Sequence, residues 1–142
     1  MPSFTQRIPN LQQVGPVIEL LITPSQPFLQ SMNIAPNNTK VTRVLAMIDT
    51  GATGTVIQQG LAAQLNINPV GTTYIHTPSS MNVLCHQFDL QLIFPNNVSM
   101  PTILVTEAPL QGQHIQCLIG RDVLSQSVLI YTGYDNSFTV SF

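Results

Sequence analysis

An apolar run that ends in an acid constrains this chain more than any other stretch. Val44-Leu45-Ala46-Met47-Ile48 reads as a buried strand, and Asp49-Thr50-Gly51-Ala52-Thr53 follows it at once. A carboxylate set at the end of a buried strand costs free energy unless the group is used. On this reading Leu45 and Met47 bury the strand and Asp49 emerges at its end, while Gly51 and Ala52 let other backbone or a ligand approach the carboxylate closely. Asp, Thr and Gly are also turn formers, so the tripeptide alone marks no more than a turn. Its apolar approach and the Thr55-Val56-Ile57 stretch behind it give it the layout of a site.

A chain of 142 residues with 44% apolar side chains suits one domain with its own core, expected over residues 16–142 after an extended lead at 1–15. Only 7% of residues are charged and the net charge is -2, so there is no basic patch to hold phosphates and nucleic-acid binding is not expected. A surface this weakly charged is poorly defended against association, which suits an oligomer with a hidden apolar interface. No charged segment followed by an apolar run opens the chain, and no apolar stretch is long enough to span a bilayer. No membrane association is therefore expected, and the location expected by default is cytoplasmic. Cys85 and Cys117 are too few for a disulfide framework and lack a second ligand pair at zinc spacing, so both are expected as reduced thiols, with no metal and no cofactor. His76 and His86 read as solvent-facing strand residues, and His86 beside Cys85 as packing with a polar face.

Along the chain, Pro16–Ile22 is an apolar strand, 23–39 a long connection rich in Pro, Asn and Ser, and 40–48 the strand that carries Asp49. Leu61 and Leu65, four apart, predict a short helix over 59–65, stopped by Asn66 and Pro69. Residues 72–76 and 83–94 form a long hairpin about the turn-like Thr77-Pro78-Ser79-Ser80-Met81-Asn82. Strands follow at 102–105 and 114–119, then a helical turn at 120–124, then strands at 127–131 and 138–142, where Phe138, Val140 and Phe142 alternate with Thr139 and Ser141. Many short strands with one or two short helices predict a mostly β, closed, barrel-like domain.

Two segments carry a family resemblance. Asp49-Thr50-Gly51-Ala52 with its apolar lead-in resembles the active-site segment of the retropepsin-like (retroviral-type) aspartic proteases. Cys117-Leu118-Ile119-Gly120-Arg121-Asp122-Val123-Leu124 resembles the apolar-apolar-Gly segment, followed by Arg and an acid or amide, that these enzymes place before their C-terminal helix. The resemblance implies an acid-protease subunit whose 72–94 hairpin is a flap closing over a peptide or protein substrate. It assigns Asp49 to catalysis, and Thr50, Gly51, Leu118, Ile119 and Gly120 to the active-site loop and its support. Substrate contacts fall to Gly51, Ala52, Thr53 and the flap residues Pro78, Ser79, Ser80 and Met81. It also implies that the termini of two subunits interleave in one sheet, with Phe138, Val140 and Phe142 as the apolar seam. Related enzymes pair the Arg with an acid two or three residues after the motif Gly. Thr53 and Gly54 stand there instead, so the sequence leaves the partner of Arg121 open, an acid elsewhere being one candidate.

Hydrolysis by such a site needs two carboxylates sharing one proton, and this chain has one Asp-Thr-Gly. The other acids have separate readings: Glu19 and Asp89 lie in strand patterns, Glu107 borders a loop, Asp122 starts a helical turn and Asp135 sits in a turn. The expected assembly is a two-fold homodimer in which each subunit supplies one Asp49. A dimeric peptide-binding or assembly module without catalysis is the alternative on the same fold. A metal-dependent hydrolase ranks last because the histidines are scattered.

Overall fold

The computed structural model describes residues 1–76, 82–110 and 113–142. The expected flap-tip contacts Pro78, Ser79, Ser80 and Met81 lie outside the described residues. Ten strands, β1 Ser3–Arg7, β2 Val17–Pro24, β3 Thr42–Ile48, β4 Val56–Gln58, β5 Gly71–Ile75, β6 Val83–Ile93, β7 Ser99–Ala108, β8 Cys117–Ile119, β9 Val128–Thr132 and β10 Ser137–Ser141, build two sheets among the described residues. The helices are short: α1 Leu11–Val14, α2 Gln26–Ser31, α3 Leu61–Gln64 and α4 Arg121–Leu124.

The larger sheet closes on itself. Strands β2, β3, β8, β4, β7 and β6 pair in that order, and β2 returns to β6 through Leu21↔Ile93 to Pro24↔Leu90. β6 manages three neighbours because its first half pairs with β5, its second half with β2, and an irregularity between Leu90 and Leu92 bends it against β7. The result is a mostly β barrel with β5 attached at its rim, as the short alternating strands predict.

Alternate residues fill the barrel: Ile18, Leu20 and Ile22 from β2, Val44, Ala46 and Ile48 from β3, Phe88, Leu90 and Leu92 from β6. In β3 this corrects the sequence reading. Leu45 is 36% exposed and Met47 half-buried, whereas Val44, Ala46 and Ile48 face inward. Side chains alternate with a period of two, so one position decides which set is buried, and here it is Val44, Ala46 and Ile48.

Residues 23–39 are more structured than a connection. Ser25 caps α2, its hydroxyl accepting from the Phe28 N–H at 3.3 Å, with Pro27 in the first turn and Leu29 buried below. The first fifteen residues likewise contribute: β1 pairs with β10 from Ser3↔Ser141 to Arg7↔Ser137, and Phe4 and Leu11 enter the same core.

In the small sheet, ordered β1-β10-β9, the apolar face of Phe138, Val140 and Phe142 is covered within the chain itself. β10 is flanked on both sides by strands of its own chain, and Phe138 and Val140 are 0% and 2% exposed inside its own core. Phe142 packs there too, its ring 4.7 Å from that of Phe94.

Both cysteines are free and buried. Burial, and secondarily the charge of Asp122, pushes the Cys117 thiol up to about 12 from 9.0. Above pH 9 the unfolded thiol ionises while the native one keeps its proton, so native stability falls between 9.0 and about 12. The loss reaches about 1.4 kcal/mol per pH unit. Urea unfolding from pH 8 to 10.5 is expected to show this decline, and Cys117→Ala a shallower one; equal slopes would remove the thiol as its cause.

Candidate active site

Where β3 ends, the chain turns sharply, and nearly every turn of it is tied to the segment after β8. The Asp49 N–H donates to the Ile119 carbonyl at 2.9 Å, and Ala52 N–H closes the turn onto the Asp49 carbonyl at 3.2 Å. Arg121 N–H reaches the Ala52 carbonyl at 2.9 Å. The Arg121 guanidinium donates to the Thr50 carbonyl at 2.8 Å and to Thr53 Oγ1 at 3.3 Å. The partner of Arg121, left open by the sequence, is thus a main-chain oxygen and a hydroxyl. The fork of the guanidinium spans the whole loop, which a point-like ammonium does not do.

Asp49 itself is half-exposed, and Thr50, Gly51 and Thr53 are exposed. Its Oδ1 accepts the Gly51 N–H at 2.9 Å, which aims the carboxylate along the loop. A Cβ on Gly51 would stand 3.1 Å from that oxygen, so the glycine keeps the carboxylate approachable. Gly120 answers a stricter demand. A Cβ there would lie 2.5 Å from the Gly54 carbonyl carbon and oxygen, so the two loops touch back to back through bare backbone.

Behind this contact lies a feature that the sequence reading missed. Asp122, read as the start of a helical turn, accepts three hydrogen bonds. Its Oδ2 takes the Thr55 N–H at 3.0 Å, and its Oδ1 takes the Thr55 hydroxyl at 2.8 Å and the Val123 N–H at 2.8 Å. The Thr55 hydroxyl in turn accepts the Gly120 N–H at 3.2 Å. Thr55 is 1% exposed, so these bonds form away from water. The signal was an acid directly after Gly-Arg, with no cation spaced to neutralise it.

The remaining acids stand elsewhere. Glu19 meets Arg43 at 3.6 Å and Asp135 meets Arg7 at 3.0 Å on the surface, and Glu107 accepts the Ala62 N–H at 3.3 Å. Among the described residues, no three of His, Cys, Asp and Glu gather in a way that could hold a metal ion. Beside the Asp49 loop, Thr50, Arg121, Leu124, Ser125 and Leu129 line a shallow, largely apolar cleft.

The model of the family described as "gag-polyprotein putative aspartyl protease" matches residues 35–126, a span that holds both the Asp49 loop and the segment that ties it. The chain belongs to that family. Among solved structures, a retropepsin-like aspartic protease from Rickettsia conorii is similar over 100% of this chain and 95% of its own length, with a TM-score of 0.52 and 13% sequence identity. At that identity the likeness is one of fold, and the barrel of this aspartyl protease family member is retropepsin-like. No curated protein matches the chain in sequence.

Asp122→Asn tests the ties of the loop. An amide keeps the shape but replaces one acceptor oxygen with a donor that must face the Thr55 N–H or hydroxyl, at a cost of about 2 to 3 kcal/mol. Denaturant unfolding should show that loss, with faster amide exchange at Thr55 and Gly120, whereas Thr55→Ser should stay close to the parent. An unchanged midpoint in Asp122→Asn would show that the carboxylate is not needed.

Proposed function

We propose that this chain is an aspartic endopeptidase that works as a homodimer, with Asp49 of each subunit forming the catalytic pair. What carries the reading is the Asp49-Thr50-Gly51 turn of an aspartyl protease family member. The turn is fixed from behind by Arg121 and by main-chain hydrogen bonds to Ile119 and Arg121, yet its carboxylate is half-exposed. A carboxylate held rigidly at a solvent-facing turn is poised to act on something that arrives there.

In the proposed reaction the ionised carboxylate of the pair takes a proton from a water molecule, whose oxygen attacks the scissile carbonyl carbon. The protonated carboxylate donates a hydrogen bond to the carbonyl oxygen and stabilises the tetrahedral intermediate. The carbon–nitrogen bond then breaks as a proton passes to the leaving amine, and one shared proton remains on the pair. Thr50 links the two loops across the axis, and Leu118, Ile119 and Gly120 support them. The peptide lies extended against Gly51, Ala52 and Thr53, added as a strand beneath the hairpin of β5 and β6, which acts as a flap. The partners are thus a peptide or protein substrate and a second copy of the chain, in a cytoplasmic setting.

Asp49→Asn is expected to lower peptide cleavage by at least about 1,000-fold, the scale on which losing a catalytic acid or base acts. The same substitution should leave the thermal midpoint unchanged or raised, because it removes the repulsion between two facing carboxylates. A peptide analogue with a secondary hydroxyl at the scissile position should bind the parent and not the variant. Cleavage by Asp49→Asn at the parental rate would refute the assignment.

A further inference from the structure

Among the described residues, every acid of this chain but one has a partner. Asp49 accepts the Gly51 N–H, Asp122 holds Thr55, Glu19 and Asp135 meet arginines, and Glu107 takes the Ala62 N–H. Asp89 stands apart. It lies midway along β6 between the buried Phe88 and Leu90, so its side chain points away from the core. It is nonetheless half-buried, in a cleft of about 420 Å³ that α2 and residues 67–70 enclose with it. A carboxylate drawn partly out of water without a partner costs free energy that a bound cation would recover.

The rest of the cleft suits one kind of cation. Pro27 and Phe28 of α2 form one apolar wall, and Pro69 and Val70, the latter 58% exposed at the rim, form another. Its hydroxyls have acceptor capacity to spare. Ser25 Oγ accepts the Phe28 N–H at 3.3 Å, and Ser31 Oγ spends its own proton on the Phe28 carbonyl at 2.9 Å, so lone pairs remain on both. No cation lines the cleft.

We infer that this cleft binds the arginine side chain of a polypeptide substrate, outside the Asp49 site. A guanidinium carries five N–H donors in a planar fork, two for the Asp89 carboxylate and others for the serine hydroxyls, while its apolar stem lies along the proline and valine walls. A lysine ammonium has fewer donors and holds its water more tightly. The arginine comes from another molecule, because Arg7, Arg43 and Arg121 are engaged with Asp135, Glu19 and the Asp49 loop. β6 runs on from Asp89 into the hairpin that covers the peptide in the proposed reaction, and at about 3.3 Å per residue Asp89 lies about 20 Å from Val83. That the polypeptide is a substrate rests on the peptidase reading, whereas the cleft itself does not.

Titration with N-acetyl-arginine amide, followed by nuclear magnetic resonance, checks the cleft. The amide signals of Phe28, Val70 and Asp89 should shift and saturate while that of Gly51 stays in place. Asp89→Asn should weaken this binding at least about 10-fold, because charge-assisted bonds are lost, and the uncharged isostere N-acetyl-citrulline amide should not bind. Equal affinity in Asp89→Asn, or equal binding of the citrulline probe, would overturn the site. Peptides with a single arginine at successive positions beyond about the sixth residue from the scissile bond then test the substrate. At one position KM should fall several-fold with kcat unchanged, relative to citrulline there. Asp89→Asn should erase that difference and cleave the citrulline peptide as the parent does. Equal KM values at every position would overturn the assignment to substrate. A parent that binds the arginine probe and cleaves no peptide would refute the peptidase reading and leave the arginine cleft standing.

Discussion

Behind the loop that carries Asp49 stands one half-buried carboxylate, that of Asp122. It draws in the Thr55 N–H and hydroxyl at 3.0 and 2.8 Å, and the same hydroxyl holds the Gly120 N–H. Those bonds set Gly54 and Gly120 back to back, and their contact fixes how closely the Asp49 loop and the start of α4 approach. Arg121 can then lie across the loop and hold its carbonyls. A charged acceptor suits this place because charge-assisted bonds to a carboxylate are about twice as strong as neutral ones, and its two oxygens serve three donors. The acid that does no chemistry in the proposed mechanism therefore organises the one that does.

The division of labour between the two ends of the barrel follows from β3. Asp49 lies beyond its last residue, whereas the capped helix α2 and the loop to Thr42 precede its first. α2 covers the outside of the barrel where β2 meets β6, and Gln26 bonds Gln91 across that junction. Residues 23–39 thus reinforce the closing seam of the barrel at the end away from the Asp49 turn.

Much of this was legible before any coordinates. An apolar strand running into Asp-Thr-Gly, and an apolar pair running into Gly-Arg-Asp, are local signals, and local signals survive folding because backbone geometry alone enforces them. What failed to show was whatever depends on distant partners. The burial register of β3 needed knowledge of which face its neighbours turn inward, since Leu45 and Met47 are as apolar as Val44 and Ile48. The partner of Arg121 was a carbonyl, and carbonyls leave no trace in a sequence. The role of Asp122 was hidden because its donors, Thr55 N–H and hydroxyl, lie 67 positions away. α2 carried a readable Ser cap and an early Pro, but the surrounding prolines and asparagines masked it.

The parallel pairings of β3 with β8 and β4 with β7 bear on how the molecule comes into being. Ala46 faces Cys117 and Val56 faces Thr106, contacts that no local hairpin can supply. Closing such long loops is slow, because chain entropy must be given up before any contact rewards it. While the chain is being synthesised, the Asp49 turn exists for some seventy residues without the segment that shapes it, and it gains its geometry only once Gly120 to Asp122 have emerged. The order of the sequence thus acts as a timer: the turn with the reactive acid is made early and completed late.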